Sequence, residues 1–264
     1  MHTNLFRTLL QENRSSMGTR ILSTWPIMVE AVGASKQFDY IEFVAEYAPF
    51  TDVDLENVVR AAELHQMSSM IKIDFQNRFY VAQRALAAGF QSILFTDHKS
   101  AEEVRKSIEA IRADSPQDGG RFGKPTRRFI GFEPNLSQME YAQMLRDVVV
   151  AVMVEKRQAL DELEAICSVE GVDMVQFGPS DYAMNSGWNF SEHKVEVRDA
   201  EKRMIEIALS RGVQPRCEIN TAQEAQPYMA LGVKHFCLGD ELRNNMVYWN
   251  KEGKALRDIV VQKG

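Results

Sequence analysis

Apolar residues in this chain come in short runs, each followed by a polar turn and then by a stretch with helical spacing. The clearest case lies between Asp147 and Tyr182. Val148 to Val154 is an unbroken apolar run that stops at Glu155. Lys156 to Ser168 has helical spacing, and Val172 to Phe177 is a second run that stops at Gly178-Pro179-Ser180-Asp181. Two β-type runs joined through a helix make a βαβ unit, whose strands are parallel. Glu155 and Asp181 each follow the C-terminal end of their strand. They therefore emerge on one edge of the sheet, the edge at which parallel α/β folds bind ligands.

The same alternation continues in both directions. Further strands are predicted at Gly18–Leu22, Tyr40–Val44, Ser69–Ile73, Ser92–Phe95, Val213–Ile219 and Lys234–Leu238. Helices are predicted at Asn4–Gln11 (short, covering the bottom of a barrel), from Pro26 onward, at Asp54–Leu64, and at Tyr80–Ala88 with Gly89 as terminator. Another opens at Ser100 as a capping box with Glu103, and a further one spans Arg198–Ser210. A closing helix, Leu242–Gln262, carries Met246, Val247, Trp249, Leu256, Ile259 and Val260, more apolar surface than a lone helix exposes. The polar, Gly-rich stretch Ala113–Lys124 is the one long loop, of a kind that is functional or mobile. Strands alternating with helices in this number predict a (β/α)8 TIM barrel forming a single domain over residues 1–264.

Composition narrows this further. A length of 264 residues suits one such barrel, typically about 250 residues long. A net charge of -6 argues against nucleic acid as a partner. No apolar run approaches the roughly 18 residues that a membrane span needs, and Met1–Glu12 has no apolar core fit for a secretion signal. Cys167, Cys217 and Cys237 have no metal-type spacing and read as small buried residues in a reducing compartment. The expectation is a soluble cytoplasmic protein.

Chemically, Glu155 and Asp181 on one rim suit a hard divalent ion. The plainer alternative is that Glu155 caps the next helix and Asp181 sits in a solvated turn. At this interval, a Glu closing one strand and a Gly-Pro-x-Asp turn closing the next resemble the HpcH/HpaI aldolase/citrate lyase family. Phe38-Asp39-Tyr40 with Glu46-x-Ala48-Pro49-x-Thr51, Ser100 to Arg105, and Ser115-Pro116 through Gly120-Arg121-Phe122-Gly123 extend the likeness over most of the chain. The resemblance implies a (β/α)8 barrel, often a trimer of dimers that exchange C-terminal helices. It also implies Mg2+ or Mn2+ (or Co2+) on residues matching Glu155 and Asp181. A 2-oxo acid such as pyruvate would chelate that ion, and the backbone of Gly178, Pro179 and Ser180 would hold the substrate carboxylate.

Three positions depart from the aldolase pattern. Where family aldolases have Asp-x-Glu-His, this chain has Val44-Ala45-Glu46-Tyr47, so both members of the proton-relaying Asp-His dyad are missing. Tyr47 is then either a proton or hydrogen-bond donor, or an aromatic wall of the pocket. The family's substrate-binding arginine is Lys72, which keeps the charge without the bidentate fork and raises an imine mechanism as a rival. Met153 stands where a glutamine precedes the metal ligand. Strand counting puts Asp97 and His98 on the same rim, making His98 a candidate replacement for the missing histidine. Arg216, Glu218, Asp240 and Glu241 face the rim too, with structural ion pairs as the default reading. Arg121 either reaches a distal substrate carboxylate or braces its loop.

The leading expectation is a divalent-metal-dependent carbon–carbon lyase that makes or breaks a bond between the enolate of a 2-oxo acid and an aldehyde-type partner. Alternatives are a citrate-like or acyl-CoA-like lyase or synthase, an oxaloacetate decarboxylase, or a non-catalytic 2-oxo-acid-binding protein.

Overall fold

The computed structural model describes residues 3–261. Helix α1 (Leu5–Gln11) leads into strand β1 (Ser16–Ile21), followed by α2 (Pro26–Ala34), β2 (Tyr40–Val44), α3 (Asp52–Leu64) and β3 (Ser68–Ile73). Next come α4 (Arg78–Ala88), β4 (Ser92–Phe95), α5 (Ala101–Ile111), α6 (Gln138–Arg146) and β5 (Val149–Val154). Two short helices, α7 (Arg157–Asp161) and α8 (Leu163–Cys167), precede β6 (Met174–Phe177), α9 (Pro179–Asn185) and α10 (Lys194–Ser210). Last are β7 (Gln214–Ile219), α11 (Ala225–Ala230), β8 (His235–Asp240), α12 (Glu241–Tyr248) and α13 (Lys254–Val261). The strands form a closed parallel barrel in sequence order, with β8 pairing back onto β1. This is the (β/α)8 fold.

The expected strands all form, with edges shifted by a residue or two. The helix expected over Lys156–Ser168 is broken into α7 and α8. Three helices, α6, α9 and α11, were not foreseen. Gly89 ends α4 in a left-handed conformation, φ +110°, which costs a glycine little. The Ser100 hydroxyl accepts the Glu103 amide, but Glu103 reaches back to the amide of Lys99 rather than Ser100. The closing helix runs through a π-turn, Trp249–Gly253, between α12 and α13. Gln262, its expected end, lies outside the described residues.

Outward-facing strand residues such as Ile41, Phe43, Ile71 and Phe95 pack under the helices in the main core. Inside the barrel, a second cluster of Phe6, Tyr40, Met70, Leu94, Val149, Ala151, Met153 and Met174 fills the lower part. Phe6 of α1 stacks on Tyr40 with ring centroids 4.3 Å apart, so α1 closes the bottom as expected. Arg7 of the same helix binds both oxygens of Asp173 at 2.6 and 2.7 Å, pinning the plug in place. The Gly-rich loop also lies at this N-terminal end. Arg112 at its start donates to the Leu145 carbonyl, and its Asp118 pairs with Arg146, both near the entry to β5. Arg121 sits there beside Glu109, 3.5 Å away, at the opposite end of this barrel from Glu155. No helix among the described residues is long and apolar enough to cross a membrane.

Candidate active site at the C-terminal end of the barrel

Above the apolar plug the barrel interior becomes polar. Arg216 on β7 is wholly buried. Its Nε donates to the Tyr40 hydroxyl at 2.6 Å, and its two terminal nitrogens donate to Gln176 and Glu42. Gln176 passes a hydrogen bond of 2.6 Å on to Glu218, whose other oxygen binds Arg20 at 2.6 Å. A charge can be buried this deeply only when it is paired and hydrogen-bonded. The ion pairs expected for Arg216 and Glu218 are thus present, as members of a network that crosses the barrel. Asp240 caps α12 by accepting the Arg243 amide. Glu241 accepts the amides of Leu22 and Ser23 at the end of β1.

At the mouth, Glu155 is 1% exposed. Its Oε1 accepts the amide of Asp97 at 2.7 Å, while Oε2 has no hydrogen-bond partner among the described residues. Gly178 lies against it: a Cβ at that position would come within 2.8 Å of Glu155 Cβ and 3.0 Å of Oε2. Burial raises the Glu155 pKa, against the opposing pull of the Asp97 amide and of the Lys72 and Lys156 charges. Asp181 is half-buried in the first turn of α9. Its charge acts on both Tyr47 and Lys156, which puts it on the same mouth. Because Pro179 has no N–H, the amides of Ser180 and Asp181 are the unsatisfied donors at the start of α9.

Lys72 projects into the mouth from β3, its Nζ 2.5 Å from Glu46 Oε2 and 5.4 Å from the centre of the Tyr47 ring. Burial alone would lower its pKa, but Glu46, Glu42 and Tyr47 more than reverse this and raise it. Lys72 is therefore held as an ammonium, without the free amine that imine formation requires. Tyr47 is 63% exposed. Partial desolvation, together with the carboxylates of Glu46 and Asp181, pushes its phenol up to about 12. Such a group keeps its proton at neutral pH and can donate it, but it is a poor base.

His98 does not join this cluster. It is fully buried, its Nε2 lies 2.8 Å from Ser107 Oγ on α5, and its ring meets Phe95 edge to face. Burial first, then the charge of Arg78, lowers its pKa to about 3. Strand counting fails here because Asp97 adopts φ +61°. That left-handed residue breaks the period-two alternation and turns the His98 side chain outward. For an L-residue the conformation costs about 1–2 kcal/mol, so it must be held by other contacts. Lys156 supplies one, with its Nζ 2.6 Å from Asp97 Oδ1. Neither Lys156 nor the interior partner Glu42 was anticipated as part of the site. A carboxylate at an inward strand position between Tyr40 and Val44, and a cation directly after Glu155, were the available signals.

The donor set can be tested against a metal. No group of three metal-binding side chains exists among the described residues, which excludes a closed structural site of the zinc type there. Two carboxylates, one with a free oxygen, fit an ion such as Mg2+ that completes its coordination with substrate oxygens and water.

Polar and charged groups converging on the C-terminal mouth of a (β/α)8 barrel define an enzyme of that fold, since this is where such barrels do their chemistry. The chain belongs to the HpcH/HpaI aldolase/citrate lyase family, whose profile matches residues 21–237, and is a carbon–carbon lyase. It is 25% identical over 241 residues to the 5-keto-4-deoxy-D-glucarate aldolase of Klebsiella pneumoniae, covering 90% of this chain and 91% of that one. It is 29% identical over 210 residues to the 2-keto-3-deoxy-L-rhamnonate aldolase of Salmonella gallinarum, covering 79% and 75%. The crystal structure of an HpcH/HpaI aldolase from Desulfitobacterium hafniense superposes with a TM-score of 0.86 at 22% identity, over 97% of each chain.

Proposed function

We propose that the protein is a divalent-metal-dependent aldolase acting through the enolate of pyruvate or a similar 2-oxo acid, with Glu155 and Asp181 as the metal ligands. The observation that carries this reading is the geometry of Glu155: buried, fixed through one oxygen, and presenting the other toward the turn that bears Asp181. When bound, Mg2+ or Mn2+ would act as a Lewis acid toward the negative charge that develops on the oxo acid. The chain's own residues do the rest. The buried Lys72 ammonium attracts the anionic substrate and orients it, and the Ser180 and Asp181 amides beside Gly178 and Pro179 bind its carboxylate. Tyr47, with its proton retained at neutral pH, donates a hydrogen bond to the oxygen of the aldehyde-type partner as the carbon–carbon bond forms.

The relatives named above act on keto-deoxy sugar acids, and a substrate of that kind is the first choice here. A second reading, 2-oxo-acid binding without efficient turnover, is supported by Val44 in place of the dyad's acid and by the outward-turned His98. Incubation of the purified protein with pyruvate and an aldehyde panel, with and without EDTA, separates the readings. Product formed only without chelator supports the aldolase, and activity that survives full chelation refutes the metal. Metal-dependent pyruvate binding with no product from any aldehyde supports the binding protein.

We also propose that the closing helices pack on a second copy of the chain, in an assembly built from exchanged helices. Every residue from Leu242 to Val261 is exposed or half-exposed, including Met246, Trp249, Leu256 and Ile259 at 51–62%. The three cysteines are buried and free, which fits a cytoplasmic location.

A further inference from the structure

We propose that Lys156 and Asp97 form a positioning pair that holds the Glu155 carboxylate in the orientation in which it meets the metal. This rests on the metal-binding reading given above and adds residues to which that reading assigns no part.

The pair is built from three directions. From the turn after β5, Lys156 Nζ binds Asp97 Oδ1 at 2.6 Å, with both side chains largely buried, 16% and 29% exposed. From α4, the buried Arg78 donates to the Thr96 carbonyl at 2.6 Å. Toward β3, the Thr96 hydroxyl donates to the Ile73 carbonyl at 2.7 Å. Together these fix the turn after β4, and the left-handed Asp97 then aims its amide at Glu155 Oε1. The bond takes one lone pair of Oε1 and fixes the carboxylate plane, so that Oε2 is the oxygen turned toward Gly178 and the turn that bears Asp181. On the other side the chain has a glycine, Gly178, where a Cβ would crowd Glu155 Cβ at 2.8 Å and Oε2 at 3.0 Å.

The pair also settles the charge of the seat. Asp97 alone would be a third carboxylate beside Glu155, free to compete for the ion or to draw it off centre. Lys156 cancels that charge and occupies Asp97 Oδ1. Glu155 and Asp181 are left as the two negative charges that a divalent cation balances. Loss of a group that orients a metal ligand typically costs about 10- to 100-fold in metal affinity.

The test is Mn2+ binding, followed by electron paramagnetic resonance of the free ion, in wild type, Lys156→Met and Lys156→Arg. Circular dichroism confirms that each variant is folded. Weakening of roughly tenfold or more in Lys156→Met, with most of the affinity restored in Lys156→Arg, is expected. A second readout needs no metal: the Asp97 amide should exchange with solvent faster in Lys156→Met, because its turn has lost an anchor. Wild-type binding that is unchanged or tightened in Lys156→Met overturns the positioning pair and leaves the metal seat standing. A wild-type protein that takes up no Mn2+ overturns both.

Discussion

Removing the cation at the centre of the barrel should expose how much of the fold depends on the polar network. In Arg216→Met a side chain of similar length fills the space, but Glu42 stays behind with its charge. Both residues are 0% exposed. Glu42 Oε1 already lacks a hydrogen-bond partner, and its Oε2 would keep only the weak contact with Cys237 Sγ at 3.9 Å. An uncompensated buried charge of this kind costs about 3–5 kcal/mol. With an unfolding entropy near 2.1 cal/mol/K per residue over a chain of this length, that corresponds to a Tm lower by roughly 5–9 °C. Adding Glu42→Gln removes the stranded charge and should recover much of the loss, because replacing both members of a buried pair is far less damaging than removing one. Thermal unfolding followed by circular dichroism on the two single variants and the double variant reads the effect. A Tm for Arg216→Met within about 2 °C of wild type, or a double variant no more stable than the single one, would refute the reasoning.

Three further outcomes follow from the geometry. Gly178→Ala places a methyl group 2.8 Å from Glu155 Cβ and should cost at least tenfold in aldolase activity while the barrel still folds; activity close to wild type would mean that Glu155 has room to move. His98 is held to a pKa of about 3, so below its ordinary value of 6.5 the unfolded chain takes up a proton that the folded one does not. Its contribution therefore lowers stability as pH falls from 6.5 toward 3, by at most about 1.4 kcal/mol per pH unit; urea titrations at pH 7 and pH 5.5 should show a smaller drop for His98→Gln than for wild type, and equal drops would contradict this. Leu256→Glu combined with Ile259→Glu should dissociate the proposed assembly, read as a fall in mass by light scattering, whereas an unchanged mass would place the interface elsewhere.

Much of the barrel was legible because buried parallel strands read as short apolar runs, and because turn chemistry marks their ends. Both carboxylates of the proposed seat were found in the same way, each as the first acid after such a run. What escaped was what depends on contacts between distant segments. Whether Arg216 would be a surface ion or the centre of the barrel interior depends on Tyr40, Glu42 and Gln176, which lie on two other strands. His98 was misplaced because alternation was carried through Asp97, and nothing local in Thr96-Asp97-His98 announces a left-handed backbone. That conformation is imposed from outside by Lys156 and Arg78. The imine alternative at Lys72 arose from residue type alone. Glu46, only 2.5 Å away, reverses the expected effect of burial on that amine.

The central claim is that Glu155 and Asp181 together hold a divalent ion to which a 2-oxo acid adds. Isothermal titration of Mn2+ into wild type, Glu155→Gln and Asp181→Asn, each with and without pyruvate, tests it most directly. The account predicts one site per chain in the wild type, tightened by pyruvate, and loss of that site in either variant. Binding that persists undiminished in both variants, or that is indifferent to pyruvate in the wild type, would contradict it.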